Sequence, residues 1–278
     1  MDVLLSIALV TRNRPDLLES CLYSLFKQDN LWHEILISDD STDDLAIESN
    51  KKISTFYRAR YLKGPQKGLY ANRNFIAKQC TGTHIRTVDD DHTFPPNHIS
   101  TCINTIKEDP KSVWIIGEYL LGVSPHEAPH PCPGELHPRG FAVTPKDPQN
   151  SRAISCGATI YPREIIDKNV LNIDYFKFGN SYLEYGSRLK FMGYRIRHIS
   201  ETFVFHNFNP HTRSFNNRLE ILDSRVYSVL ALSFIYNPTI FNKVSTIAAI
   251  GGAIIFKKYT FKMLGENLKR MKNVKSSF

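Results

Sequence analysis

The stretch HIRTVDDDHTFPP, residues 84–96, runs a short apolar strand, HIRTV, straight into three consecutive aspartates and closes on a pair of prolines. Unpaired carboxylates do not sit inside a sheet, so the aspartates mark the point where the strand leaves the core. Just upstream, GLYANRNFIAKQCTG (68–82) reads as a helix closed by Gly82. EILIS (34–38) and LLSIALV (4–10) are two more short apolar strands. The second of these is followed by Leu17, Leu18, Cys21, Leu22, Leu25 and Phe26 on one helical face, with Pro15 in the first turn. Downstream, Ile99, Cys102, Ile103 and Ile106 mark one face of a further helix. Strands alternating with helices predict an α/β, Rossmann-like fold, a mixed and mainly parallel sheet flanked by helices. Ligands of such sheets bind beyond the carboxyl ends of the strands. The acidic runs SDDSTDD (38–44) and DDD (89–91) fall at two of those ends.

Several carboxylates at one sheet edge repel one another, and a hard divalent cation relieves the repulsion. Asp89 and Asp91, two apart, reach one ion if the chain turns there. The same residues would also serve as a turn that starts the helix near Pro96. The bare spacing leaves both readings open.

The 278 residues, 42% of them hydrophobic, suffice for one or two domains. Of the formal net charge of +8, about six charges sit in residues 257–278, where seven Lys or Arg face Glu266 alone. The rest of the chain is nearly balanced. This points to a tail near something anionic, such as a membrane surface, and away from a nucleic-acid-binding body. The five cysteines, Cys21, Cys80, Cys102, Cys132 and Cys156, form no CxxC pair and fit reduced thiols and a cytoplasmic protein, with peripheral attachment to the inner membrane face through the tail. MDVLLSIALVTRNRP has no basic start or cleavage site and reads as a strand, not a signal peptide. The apolar run Ile247–Phe256 is shorter than the roughly 20 residues a spanning helix needs.

Four stretches in order resemble the inverting family 2 glycosyltransferases of the GT-A fold across about residues 4–215: SIALVTRNRPDLLESCLYSLFKQ, HEILISDDSTDD, GPQKGLYANRNFIAKQCTG and TVDDDHTFPPNHI. The resemblance implies a nucleotide-sugar donor, most simply UDP-linked, and Mn²⁺ or Mg²⁺ held by Asp89 and Asp91. It implies that Asp40, rather than Asp39, contacts the base, that Thr11 and Arg73 line the nucleoside pocket, and that Arg12, Lys67 and Asp90 bind the donor. It also places His206, at the end of the apolar run FVFH, near the metal or diphosphate. SYLEYGSRLKFMGYRI (181–196) is similar to the acidic motif of the family, but the usual Glu-Asp pair would fall on Ser181 and Tyr182. Glu184 is then the candidate base for the acceptor hydroxyl, with Asp174 as its first substitute. Arg213 is a candidate for the diphosphate, since a guanidinium fork matches phosphate oxygens.

Domain boundaries follow from the same reading: a catalytic domain over 1–215, with a nucleotide-binding half (1–117) and an acceptor-side half (118–215), and a helical, basic extension over 216–278. The proline-crowded 124–152 segment carries His126, His130, Cys132 and His137 at spacings that match no standard zinc site, and it reads as a loop on the acceptor side. Phe261, Leu264, Leu268 and Met271 form an apolar stripe in the basic tail, suited either to an anionic bilayer or to packing on the domain. The expected acceptor is a glycan or lipid-linked saccharide. A nucleotidyltransferase is the first alternative, but VTRNRPD lacks the glycines of a phosphate loop. A non-catalytic sugar-binding protein on the same fold is the second.

Overall fold

The computed structural model describes residues 2–29, 31–121, 131–207, 217–256 and 258–275. Strand β1 (Leu5–Thr11) is buried along its whole length, as expected of a central parallel strand covered on both faces. Helix α1 (Pro15–Phe26) starts on Pro15, whose missing N–H costs nothing in a first turn. Strand β2 (Glu34–Asp39), α2 (Asp44–Phe56), β3 (Arg60–Lys63), α3 (Leu69–Gln79) and β4 (His84–Asp89) complete the first half. Asp43 caps α2 by accepting from the Ala46 N–H at 2.9 Å. Gly82 does not close α3, which ends at Gln79. A Cβ on Gly82 would meet the Leu4 carbonyl at 2.4 Å, so the glycine serves close packing against β1.

After the aspartates come β5 (His92–Thr93), α4 (His98–Glu108), β6 (Val113–Leu120), β7 (Glu135–Leu136), β8 (Ala142–Val143), β9 (Thr159–Pro162), α5 (Arg163–Asp167), α6 (Ser181–Phe191) and β10 (Ile196–His206). The main sheet runs β3-β2-β1-β4-β9-β6-β10-β5. Strands β1 to β4 are parallel, β6 and β10 are parallel, β9 lies antiparallel between β4 and β6, and β5 is antiparallel to β10. This is the mixed, mainly parallel sheet that the alternation predicts.

The chain ends in α7 (Arg218–Ala231), a π-helical turn (Leu232–Tyr236), α8 (Ile240–Ile255) and α9 (Phe261–Lys275). Val226, Leu230, Ile250 and Tyr259 of this region share one apolar cluster with Ala8, Val10 and Leu36 of the sheet. The α9 stripe divides: Leu264 and Met271 pack against that cluster, while Phe261 and Leu268 are exposed. Among the described residues, no helix is long and apolar enough to cross a membrane. The described part of the proline-rich segment is pinned down: His137 stacks on Phe141 at 4.5 Å, and the Pro138 carbonyl accepts from Thr246 at 2.8 Å. His126, His130 and Arg213 lie outside the described residues.

Candidate active site

A cavity of about 520 Å³ opens at the carboxyl ends of β1, β2 and β4. Of three consecutive aspartates, Asp89 and Asp91 line it and Asp90 lies behind them, and each takes a different set of partners. Asp89 accepts from Arg73, with Nη2 to Oδ2 at 2.7 Å. Asp90 is fully buried and accepts from the Thr11 hydroxyl at 2.7 Å and from the Arg14 guanidinium. Asp91 accepts from Arg14 Nη1 at 3.0 Å and lies 3.6 Å from His206 Nε2. Two arginines thus neutralise what would otherwise be a self-repelling cluster.

The electrostatics follow from these partners. Burial works to raise the pKa of Asp89, and Arg73 overcomes it, so the carboxyl stays below the usual range. At Asp90, burial and the neighbouring charges of Asp91 and Asp89 win over Arg14 and push the pKa up. At Asp91, burial is outweighed by the His206 hydrogen bond and the positive groups around it, and the pKa falls. His206 is opposed by burial but bridges Asp91 and Glu118, which raise it to about 10. His92 goes the other way, since burial lowers its pKa and favours the neutral ring.

Two pieces of backbone geometry permit this arrangement. A Cβ on Gly157 would lie 2.4 Å from Asp89 Oδ2 and 2.9 Å from the His92 ring, so only glycine fits there. A Cβ on Gly64 would lie 2.2 Å from Asp40 Oδ1. Asp40 lines the cavity, accepts from the Gln66 N–H at 2.8 Å, and has its pKa raised mainly by burial. Its neighbour Asp39 turns inward to Ser41, Asn50 and Tyr61 and organises the loop.

A divalent cation fits this chain. Asp91, His92 and His206 each offer one ligand atom, all within 4.8 Å of one another. The antiparallel register of β5 on β10 pairs His92 with His206 and holds their rings 5.0 Å apart. Asp91 Oδ1 and both ring nitrogens of His92 are buried without a hydrogen-bond partner, and each such atom costs about 1–3 kcal/mol unless something satisfies it. Glu118, accepting from His206 Nδ1 at 3.1 Å, fixes the orientation of that ring as carboxylates do beside metal-bound histidines.

The cavity brings together Thr11, Arg12, Asp40, Asp89, Asp91 and His206 among the residues expected from sequence. Three others lie off its wall, and Asp89 changes its role. Arg73 is 3% exposed and lies behind the cavity wall, holding Asp89. Asp90 is fully buried behind the wall as the partner of Arg14. Lys67 is exposed and off the wall, between the lining residues Gln66 and Gly68. The group that could hold a cation contains His92 and not Asp89, both of whose carboxylate oxygens accept from Arg73.

Glu184 needs the largest correction. It is 0% exposed, ion-paired to Arg188 (Nε to Oε1, 3.0 Å), and accepts from the Tyr236 hydroxyl at 2.6 Å. It does not line the cavity, and an acceptor hydroxyl could reach it only through packed side chains. The substitute Asp174 is exposed and also absent from the wall. Tyr182, at the motif's usual acidic position, does line it.

Sequence reasoning missed Arg14, His92 and Glu118. Arg14 was legible as the second arginine after β1. His92 directly follows the aspartates. Glu118 is the lone acid in the apolar run VWIIGEYLL.

Fold and site together define a glycosyltransferase of the GT-A class. The chain belongs to glycosyl transferase family 2, whose family model matches residues 6–170. The match stops short of α6, where the acidic motif departs from the usual pattern. No curated protein sequence matches the chain significantly. Among solved structures, S. aureus TarS residues 1–349 in complex with UDP-GlcNAc is similar with a TM-score of 0.64 and 16% identity, over 91% of this chain and 73% of that one. GalNAc-T7 with UDP, GalNAc and Mn²⁺ is similar with a TM-score of 0.73 and 15% identity, over 97% of this chain but only 54% of that one.

Proposed function

We propose that the chain transfers a sugar from a nucleotide-sugar donor, UDP-linked, to a hydroxyl of a glycan or lipid-linked saccharide, with inversion at the anomeric carbon. The observation that carries this is that one cavity is lined by Asp40 at one part and by Asp91 and His206 at another, with His92 directly behind these two. The TarS and GalNAc-T7 structures, with UDP-GlcNAc and with UDP and Mn²⁺, support the donor and cation assignments. Asp40 accepts from the base, and Arg12 and Thr11 flank it at the wall. Asp91, His92 and His206 would hold a divalent cation, and the chemistry it would supply is charge compensation for the leaving diphosphate. Imidazole ligands favour Mn²⁺ over Mg²⁺.

With Glu184 buried elsewhere, the proton of the attacking hydroxyl goes to Glu118. One oxygen of this cavity-wall carboxylate is held by His206, and the other has no protein partner among the described residues. The basic segment 257–278 meets an anionic surface in the same reading. The test is calorimetry with a panel of UDP-sugars, with and without Mn²⁺. Metal-dependent binding of at least one is expected, and equal affinity for every donor in the presence of chelator overturns the metal-bridged reading.

A further inference from the structure

Helix α8 is built in the reverse sense of a helix that faces water. Its buried face carries the polar residues Asn242, Ser245 and Thr246 alongside Ile250. Two of these polar groups are satisfied inside: Asn242 Nδ2 donates to the Asn237 carbonyl at 2.8 Å, and the Thr246 hydroxyl contacts Ser233 at 2.7 Å. The outward face carries Ile240, Phe241, Val244, Ile247 and Ile255, between 61% and 83% exposed. Positions 240, 244, 247 and 255, with Gly251 between the last two, recur at intervals of three and four and so form one stripe along the helix. Phe256 and Phe261, 74% and 75% exposed, follow it in the chain beyond the helix end. Single exposed apolar residues are ordinary, but a contiguous ridge of this kind marks a surface that is covered in use.

The charges along this segment of chain have one sign. No Asp or Glu occurs between Asp223 and Glu266, whereas Lys243, Lys258 and Lys262 flank the ridge and Lys269 and Lys272 follow on α9. Lys258, Lys262, Lys269 and Lys272 are all exposed.

We propose that the α8 ridge is a membrane-docking surface, with Phe241, Ile247, Ile255 and Phe256 entering the boundary between headgroups and acyl chains and the lysines meeting anionic lipid phosphates. The 16 residues of α8 span about 24 Å, so the helix lies along the interface and does not cross it. A second copy of the chain is the less favourable occupant. Apposing two such ridges about a two-fold axis brings lysines towards lysines, with no carboxylate in the segment to offset them. The inference deepens the anionic-surface reading of the C-terminal segment and moves its apolar anchor from α9, where Leu264 and Met271 pack inward, to α8. It does not depend on the donor pocket.

The test is flotation of the full chain with phosphatidylcholine vesicles, with and without about one-third phosphatidylglycerol, at low and high salt. Partition is expected on the anionic vesicles and should weaken with salt. The double substitution Phe241→Glu and Ile247→Glu should lower it about tenfold or more. Lys258→Gln and Lys262→Gln should each lower it by about fivefold, on anionic vesicles alone. Both apolar sites are exposed, so melting temperature and donor binding, measured on the same preparations, should not change. A chain that binds donor but not anionic vesicles overturns this inference and leaves the transferase reading intact. A chain that binds vesicles but no donor does the reverse. Vesicle partition unaffected by the glutamate pair also overturns it, as does a dimer that the pair dissolves in a chain with no partition.

Discussion

Replacing Glu184 by glutamine separates a structural carboxylate from a catalytic one. The substitution keeps shape and an acceptor for the Tyr236 hydroxyl, but it leaves the Arg188 guanidinium, whose side chain is 10% exposed, without a counter-charge. Breaking a buried ion pair by removing one partner costs about 3–5 kcal/mol. Arg188 still donates to the Leu171 carbonyl at 2.7 Å, which puts the loss at the lower end, about 3 kcal/mol. In a chain of this size each kcal/mol moves Tm by about 2–4 °C, so a drop of about 6–12 °C is expected. Turnover per folded molecule should stay within a few-fold of the parent. Calorimetric melting paired with turnover below the transition reads both quantities. Substituting Glu184 and Arg188 together by methionine removes the unpaired charge but leaves the Tyr236 hydroxyl and the Leu171 carbonyl without these partners, so only part of the loss should be recovered. A Glu184→Gln chain that melts with the parent yet turns over about 10²-fold more slowly would refute the argument and restore Glu184 as the base.

Glu118→Gln should retain donor affinity and lower turnover by about 10²- to 10⁴-fold, checked by steady-state kinetics beside calorimetry; near-normal turnover would remove Glu118 from the mechanism. Asp91→Ala takes a ligand and a buried charge from the cation cluster, so titration of Mn²⁺ in the absence of donor should show weaker binding by about tenfold or more. Gly64→Ala drives a methyl to 2.2 Å from Asp40 Oδ1 and 3.0 Å from the Asp39 carbonyl oxygen, and should raise the donor Kd by about tenfold while lowering the melting temperature by several degrees.

The sheet was legible because burial is written into its strands: β1 is apolar at nearly every position, and its neighbours follow the same rule with helices between them. Strand β9, four residues long and antiparallel between two parallel partners, left no such trace, since a short apolar run has no period of its own. At the site, the acidic cluster announced itself but its division did not. Whether an aspartate pairs with Arg73, Arg14 or His206 depends on partners 16, 76 and 115 positions away, supplied by other elements. Glu184 misled for the same reason. Its sequence neighbourhood shows a helix with a carboxylate, whereas its environment is set by Tyr236, 52 residues later. His92 was overlooked because the register of β5 on β10, which aligns it with His206, is invisible until the strands are paired.

The seating of α7 bears on the order in which the molecule is made. The cavity-wall segment around Lys177 and Tyr182 is tied to that helix: the Lys177 N–H donates to Glu220, the Asn180 N–H donates to the Ser224 hydroxyl at 3.0 Å, and Ser228 bonds back to the Asn180 carbonyl at 3.4 Å. A nascent chain emerging from the ribosome can pair β1, β2 and β4 early, since all three lie within the first ninety residues. It cannot fix the opposite wall until residues 217–236 have been translated and have docked. The donor side of the pocket therefore forms well before the acceptor side, and a ribosome stalled near residue 215 would hold a folded nucleotide half facing an unbuilt wall.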